Sequence, residues 1–254
     1  LSTAKSVTVT NDATAPTILS VTSSSTDATY KIGDIVNVQT VFSEAVTVTT
    51  ASGTPQLTLE TGTSDRAVSY SSGSGTDTLV FAYTVQSSDV SSDLDYKGTT
   101  SLALNNGTIK DLAGNTATIT LNDPAAVGTT NSLADSKAIV IDGVLPTISS
   151  VAANAGTKTV TLTMSEAVTG SPANGDFSVL VGSATNAATA VSVSGTSVTL
   201  TVTNVIANDA TVTVGYTQNS TSSSQMKDTA GNAVATLSTA KSVTVTNDAT
   251  APTI

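Results

Sequence analysis

The sequence predicts an all-β chain made of two tandem antiparallel β-sandwich domains, and three observations predict it. Serine and threonine alternate with Val, Leu and Ile in runs such as Ser6-Val7-Thr8-Val9-Thr10 and Thr196-Ser197-Val198-Thr199-Leu200-Thr201-Val202. No stretch of ten or more residues keeps helical spacing. A set of short motifs occurs twice in the same order, so the chain holds two of the unit they mark.

The alternation has a period of two and uses β-branched residues, which suits strands with one buried and one wet face. Aromatic residues make up 3% of the 254 residues and tryptophan is missing, so the cores must be packed mainly from Val, Ile, Leu and Ala. That length exceeds one sandwich domain and gives each of two domains enough chain for its own core. No apolar run is long enough to cross a bilayer as a helix, so no membrane insertion is expected in this segment.

Two repeats set the domain boundaries. Residues 1 to 18, LSTAKSVTVTNDATAPTI, return unchanged as residues 237 to 254, giving a period of 236 residues. An unchanged copy of that length implies recent duplication, and a parent array of near-identical units is expected. Inside this period a weaker repeat, Asp-x-x-x-Pro-Thr-Ile, begins at Asp12, Asp142 and Asp248. After each of the first two starts comes Ser-Glu-Ala-Val (Ser43 to Val46, Ser165 to Val168). Lys-Asp-x-Ala-Gly-Asn follows (Lys110 to Asn115, Lys227 to Asn232).

The expected division is therefore residues 1–12 as the last strand of a preceding repeat plus linker, 13–142 as domain one, 143–247 as domain two, and 248–254 as the start of the next repeat. Short linkers containing proline favour a stiff rod. In domain two, strands are expected near 147–153, 157–168, 177–183, 187–194, 196–203, 210–218 and 233–246, the seven-strand count of an immunoglobulin-like sandwich. Domain one is expected to be a longer version with larger loops. Residues 1–10, cut from their own sheet, are expected to find one in a neighbouring copy.

Charge and residue types narrow the chemistry. Nine basic residues against nineteen acidic ones give a formal net charge of −10, which disfavours nucleic acid and anionic membranes as partners and favours cations. Neither cysteine nor histidine occurs, so disulfides, thiol chemistry, zinc-type sites and His-based catalysis lack their residues. No carboxylate pair beside an aromatic-lined cleft suggests a glycosidase. The chain does not read as an enzyme.

In an antiparallel seven-strand sandwich the start of strand A, the end of B and the F–G turn share one pole. Asp12 precedes strand A, Glu44 is expected to end strand B, and Asp111 with Asn115 lies in the F–G turn; Asp142, Glu166, Asp228 and Asn232 are the second set. Oxygen ligands from carboxylates, amides and carbonyls are what calcium takes, six to eight of them. Asp89, Asp93, Asp95 and Asp209 are expected in loops at the opposite pole, placed to complete the next site.

A plainer reading of the same residues stands beside this one. Asp-x-Ala-Gly-Asn also makes a tight turn, with Asp accepting backbone amides and Gly at positive φ. Glu44 and Glu166 also suit edge charges that deter sheet-to-sheet aggregation. Tyr96 is expected in the core with a tyrosine-corner role. Threonine ladders such as Val7-Thr8-Val9-Thr10 could present a flat ice- or crystal-binding face, though exposed strand positions favour threonine anyway. Asn106-Gly107-Thr108 and Asn219-Ser220-Thr221 match the glycosylation acceptor pattern.

The Asp-x-x-x-Pro-Thr-Ile start, Ser-Glu-Ala-Val and Asp-x-Ala-Gly-Asn together resemble the bacterial immunoglobulin-like repeats of giant surface adhesins, including the repeat of cyanobacterial swimming-motility surface proteins. That resemblance implies an extracellular stalk or fibre segment at a bacterial cell surface, often stiffened by calcium, whose partners are neighbouring repeats of the same protein. The alternative is an adhesive module that binds glycan, ice, mineral or a like domain on another cell, with avidity from many copies. An accessory domain of a large secreted enzyme is a third reading; it predicts catalytic sequence elsewhere in the parent.

Overall fold

The alternating Val/Thr runs become strands throughout the computed structural model, which describes residues 12–126 and 130–245. The chain divides into two compact units that meet in sequence between Gly143 and Val144. The expected strand at residues 1–10, with its threonine ladder, and the repeat start at 248–254 lie outside the described residues.

The first unit contains β1 (Ile18–Ser23), β2 (Ala28–Lys31), β3 (Ile35–Thr49), β4 (Gln56–Glu60), β5 (Arg66–Ser72), β6 (Thr76–Thr84), β7 (Val90–Ser91), β8 (Asp95–Tyr96), β9 (Leu102–Ala103) and β10 (Thr108–Lys110). A short helix α1 (Leu133–Ser136) and β11 (Ile139–Asp142) complete it. Strands run in the order β1-β3-β6-β5-β4-β8, with β10 also on β3 and β9 on β4. A smaller sheet, β2-β11-β7, differs from the antiparallel expectation in one pair: β11 runs parallel to β2, setting Ile141 opposite Tyr30.

Strand β3 shows why its sequence folds this way. Val36, Val38, Thr40 and Phe42 point inward in strict alternation and are almost fully buried. Each such apolar side chain contributes about 1.5–3 kcal/mol relative to exposure. The pairing of β3 with β6 breaks after Val41 opposite Thr78 and resumes at Val46 opposite Thr76, so residues 42–45 bulge out of the ladder. Bulges of this kind re-aim side chains. Glu44 therefore does not end its strand, as the sequence suggests; it sits in a bulge inside one that runs on to Thr49.

The second unit comprises β12 (Ile148–Ala153), β13 (Thr159–Met164), β14 (Phe177–Val181), β15 (Ala184–Thr185), β16 (Ala188–Ser194), β17 (Ser197–Val202), β18 (Thr211–Tyr216) and β19 (Lys241–Thr244). These form two four-stranded antiparallel sheets, β12-β13-β17-β16 and β15-β14-β18-β19. Val160, Leu162, Val198 and Leu200 from one sheet and Val179, Val212 and Val214 from the other share a single core. Among the described residues, eight strands replace the expected seven, because β15 forms a short hairpin with β14. The last strand is shorter than 233–246: its first part is held by separate backbone bonds, Val234 to Met226 and Leu237 to Tyr216.

The scarce aromatics all go inward. Phe42, Phe81, Phe177, Tyr83, Tyr96 and Tyr216 are buried, and Tyr30 and Tyr70 pack on the first core. Tyr70 meets Phe81 edge-on at 6.3 Å, and Phe177 lies 5.1 Å from Tyr216. Tyr96 is a core residue as expected. Its hydroxyl donates to the Asn122 carbonyl, downstream in the chain, and not to an upstream one as a tyrosine corner requires.

Candidate metal centre

The Lys-Asp-x-Ala-Gly-Asn motif folds into the same turn in both units. In the first, the Asp111 N–H donates to the Asn115 carbonyl at 3.1 Å, and Gly114 takes φ +98°, a conformation glycine adopts without strain. The Asn115 backbone N–H and side-chain amide each donate to Asp111 at 2.7 Å, one to either carboxylate oxygen. In the second, Asn232 makes the equivalent bonds to Asp228 at 2.8 and 3.0 Å, and Gly231 again has φ +98°. Asp111, Asp228 and Asn232 are buried.

The other two motifs close on this turn in the first unit. The Asn115 amide also donates to the carbonyl of Asp12 at 3.0 Å and of Thr14 at 3.3 Å, anchoring the segment before β1. Asp12 turns back on itself, accepting from the Thr14 N–H at 2.9 Å. Ser43 and Thr17 exchange hydrogen bonds, which fixes the β3 bulge carrying Glu44. The outcome is a trio: one carboxylate oxygen each from Asp12, Glu44 and Asp111 lie within 4.8 Å of one another. Asp12 is exposed, Glu44 half-buried and Asp111 buried.

The electrostatics are those of crowded like charges. Burial, and then the charges of Asp12 and Asp111, push the Glu44 carboxyl above its ordinary range. Burial pushes Asp111 the same way, but the bonds from Asn115 and from the Gly114 and Ala113 N–H groups outweigh it and hold that carboxyl low. Among the described residues, no lysine or arginine forms a salt bridge to the trio. Three oxygen anions without a nitrogen or sulfur donor match a hard cation that takes oxygen ligands, calcium above all.

In the second unit, Glu166 follows the end of β13 beside Ser165, which exchanges the same bonds with Thr147 at 2.8 and 2.9 Å. Asp142 belongs to the first unit. It is the last residue of β11, opposite Lys31 on β2 and Val90 on β7. In the sequence it stands where Asp12 stands in the earlier copy of the motif.

Of the acids expected at an opposite pole, Asp89 and Asp95 are engaged within the first unit. Asp89 is 1% exposed and bound on all sides: Arg66 donates to Oδ1 from Nε at 2.7 Å, while the Tyr83 hydroxyl and the Gln86 N–H donate to Oδ2 at 2.7 and 3.0 Å. Asp89 lies in the loop between β6 and β7, as expected, with its carboxylate taken up by these three donors. Its backbone also pairs with Gly143, where an added Cβ would lie 2.3 Å from the Gln86 carbonyl oxygen. Asp95 accepts from the Leu133 N–H at the start of α1. Asp209 lies in a turn at φ +58°. Asn219 of the second glycosylation pattern is engaged with Asp176 at 3.0 Å.

Residues 169–221 match the model of a repeat family described as "Putative flagellar system-associated repeat". That stretch runs across β14 to β18 and leaves out all eight candidate ligands. Among curated proteins, none matches the chain. The solved structures similar to it include two of note. One is the N-terminal part of the bacterial S-layer protein SbsC, with 22% identity, a TM-score of 0.34 and 40% of this chain covered; the chain spans 24% of that structure. The other is a marsupial T cell receptor, with 12% identity and a TM-score of 0.22, covering 93% of this chain and 97% of the receptor chain.

Proposed function

We propose that this chain is an extracellular structural segment, a stalk or fibre piece of a repetitive bacterial surface protein, and that calcium braces the starts of its domains. The observation that carries the reading is the Asp12, Glu44 and Asp111 trio, drawn from three distant motifs and set within 4.8 Å. Like charges held that close cost stability unless a cation lies among them. Asp12, Glu44 and Asp111 would hold the ion, and Asn115 would keep Asp111 and the Asp12 backbone in place. The repeated motif supplies Glu166, Asp228 and Asn232 in the second unit, and Asp142 stands in the sequence where Asp12 does in the earlier copy.

Three further observations support a structural role. The unchanged return of residues 1–18 as 237–254 suits a chain that gains by copy number, as stability adds through neighbours in repeat proteins. The strand orders β12-β13-β17-β16 and β15-β14-β18-β19 agree with an immunoglobulin-like sandwich. All eight aromatic side chains are buried or packed on the cores, which leaves no stacking platform for a sugar and weighs against the glycan-binding alternative. Surface location and the absence of catalysis follow from this reading.

Thermal unfolding of the full chain in excess calcium and then in EDTA tests it. At one hundred times its dissociation constant, an ion bound only to the folded state adds about 2.7 kcal/mol. A clear upward shift in calcium is the expected result; identical curves would return the three acids to turn and edge duty.

A further inference from the structure

Of the two Asn-x-Ser/Thr triplets in the chain, the fold binds one side-chain amide and presents the other. Asn219, which opens Asn219-Ser220-Thr221, is half-buried, and its side-chain nitrogen donates to both carboxylate oxygens of Asp176, at 3.0 and 3.3 Å. Its side-chain oxygen accepts from the Thr221 N–H at 2.8 Å. Asn106-Gly107-Thr108 is arranged the opposite way. The Gly107 N–H donates to the Leu104 carbonyl at 2.8 Å, and Asn105 and Asn106 take φ +48° and +66°, closing a tight turn of the kind that Asn-Gly pairs favour. The base of this turn is packed: Gly107 is buried, and an added Cβ there would lie 2.6 Å from the Gly53 carbonyl oxygen. Asn105 is tied to the Gln56 side chain at 2.9 Å. Asn106 stands exposed at the tip, its side-chain amide without a hydrogen bond among the described residues.

We propose that Asn106 is a glycosylation site, taking its sugar from a glycosyl diphosphate through a transferase of the producing cell, and that Asn219 is not. Acceptors of this pattern lie on surface loops of secreted chains, and a bulky, solvated sugar displaces no packing where the amide already faces water. In the transfer, the Asn106 side-chain nitrogen bonds to the anomeric carbon as the bond from that carbon to the diphosphate oxygen breaks. The diphosphate leaves with the electron pair, and one amide proton passes to a base of the transferase. At Asn219 the same bond would set a sugar against the Asp176 carboxylate and cost that half-buried pair a donor. Because the Gly107 N–H is held by the Leu104 carbonyl, its nitrogen is restrained from closing a ring onto the Asn106 side chain, the reaction by which Asn-Gly pairs lose their amide. The acceptor therefore persists.

The experiment isolates the protein from the cells that make it and cuts it after lysine, so that residues 98–110 report Asn106 and residues 159–227 report Asn219. Mass spectrometry is expected to find the first peptide heavier by whole sugar residues, placed on Asn106 by fragmentation, and the second without them. One added sugar marks a nucleotide-linked donor and a preassembled chain a lipid-linked one; both bear the proposal out. Thr108→Ala, made in the same cells, removes the hydroxyl that the pattern requires while keeping Asn106 and should abolish the added mass, whereas Thr108→Ser should retain it. The masses read the same whether or not calcium is bound, so this outcome and that of the melting curves are separate. An unmodified 98–110 peptide overturns the proposal. So does a sugar on Asn219, or added mass that survives Thr108→Ala.

Discussion

Thr17 and Ser43 bind each other twice: the Thr17 N–H donates to Ser43 Oγ at 3.0 Å, and the Ser43 N–H donates to the Thr17 carbonyl at 2.8 Å. Thr147 and Ser165 repeat the pair at 2.9 and 2.8 Å. The threonine of Asp-x-x-x-Pro-Thr-Ile and the serine of Ser-Glu-Ala-Val thus form a clasp between the start of a unit and its second long strand. Replacing Ser165 by Ala removes one acceptor and should lower the stability of the second unit by about 0.5–1.5 kcal/mol. Chemical denaturation of Ser165→Ala against wild type checks this, with Ser165→Thr expected to recover part of the loss.

This clasp was only half legible in the sequence. The recurrence of the two motifs was visible, and so was the convergence of Asp12, Glu44 and Asp111. The partnership of Thr17 with Ser43 was not, since neutral hydroxyls carry no charge pattern to mark them in a chain this rich in serine and threonine. The bulge at Glu44 escaped notice because the inward positions Phe42 and Val46 keep the same even phase on both sides of it. Parallel pairing of β2 with β11 joins segments more than a hundred residues apart, beyond the reach of any local period.

Asp89 teaches a similar lesson, as its neighbours Gln86-Ser87-Ser88 read as open loop while its counter-ion Arg66 lies on β5. Asp89→Ala strands the guanidinium, the Tyr83 hydroxyl and the Gln86 N–H together. Breaking a buried pair costs roughly 3–5 kcal/mol, and the partial exposure of Arg66 puts the expected loss near the lower end. Two-unit denaturation curves should show the first unit melting early and the second unchanged.

Three tyrosines link stability to alkaline pH. Burial raises the hydroxyls of Tyr83, Tyr96 and Tyr216 above the ordinary tyrosine value of 10.0, and the neighbouring acids push in the same direction. A raised folded-state pKa means that the folded chain holds its proton longer than the unfolded one. This contribution is complete below pH 10 and is lost as pH rises beyond it. Melting temperature should fall above about pH 10, and tyrosinate absorbance from these residues should appear together with unfolding and not before it.

Glu44 and Asp111 oppose each other in acid. Asp111, held low, contributes stability that is present above its unfolded value of 3.8 and lost as pH falls through its lowered one. Glu44, held high, contributes below its unfolded value of 4.5 and loses that contribution as pH rises through its raised one. Without calcium, Glu44→Gln should therefore equal or exceed wild type in melting temperature at pH 7, since it removes a repelled charge. At pH 4 the advantage should narrow.

Calcium titration by calorimetry of wild type and Glu44→Gln at pH 7 tests the central claim most directly, because the variant keeps the turn bonds of Asp111 and Asn115 while removing one carboxylate from the trio. The account predicts saturable binding to wild type, with weaker affinity or one fewer site in the variant, although the variant folds at least as stably in EDTA. Wild type that takes up no calcium, or a variant that binds it identically, would contradict the account and leave the three acids as parts of a turn and a bulge.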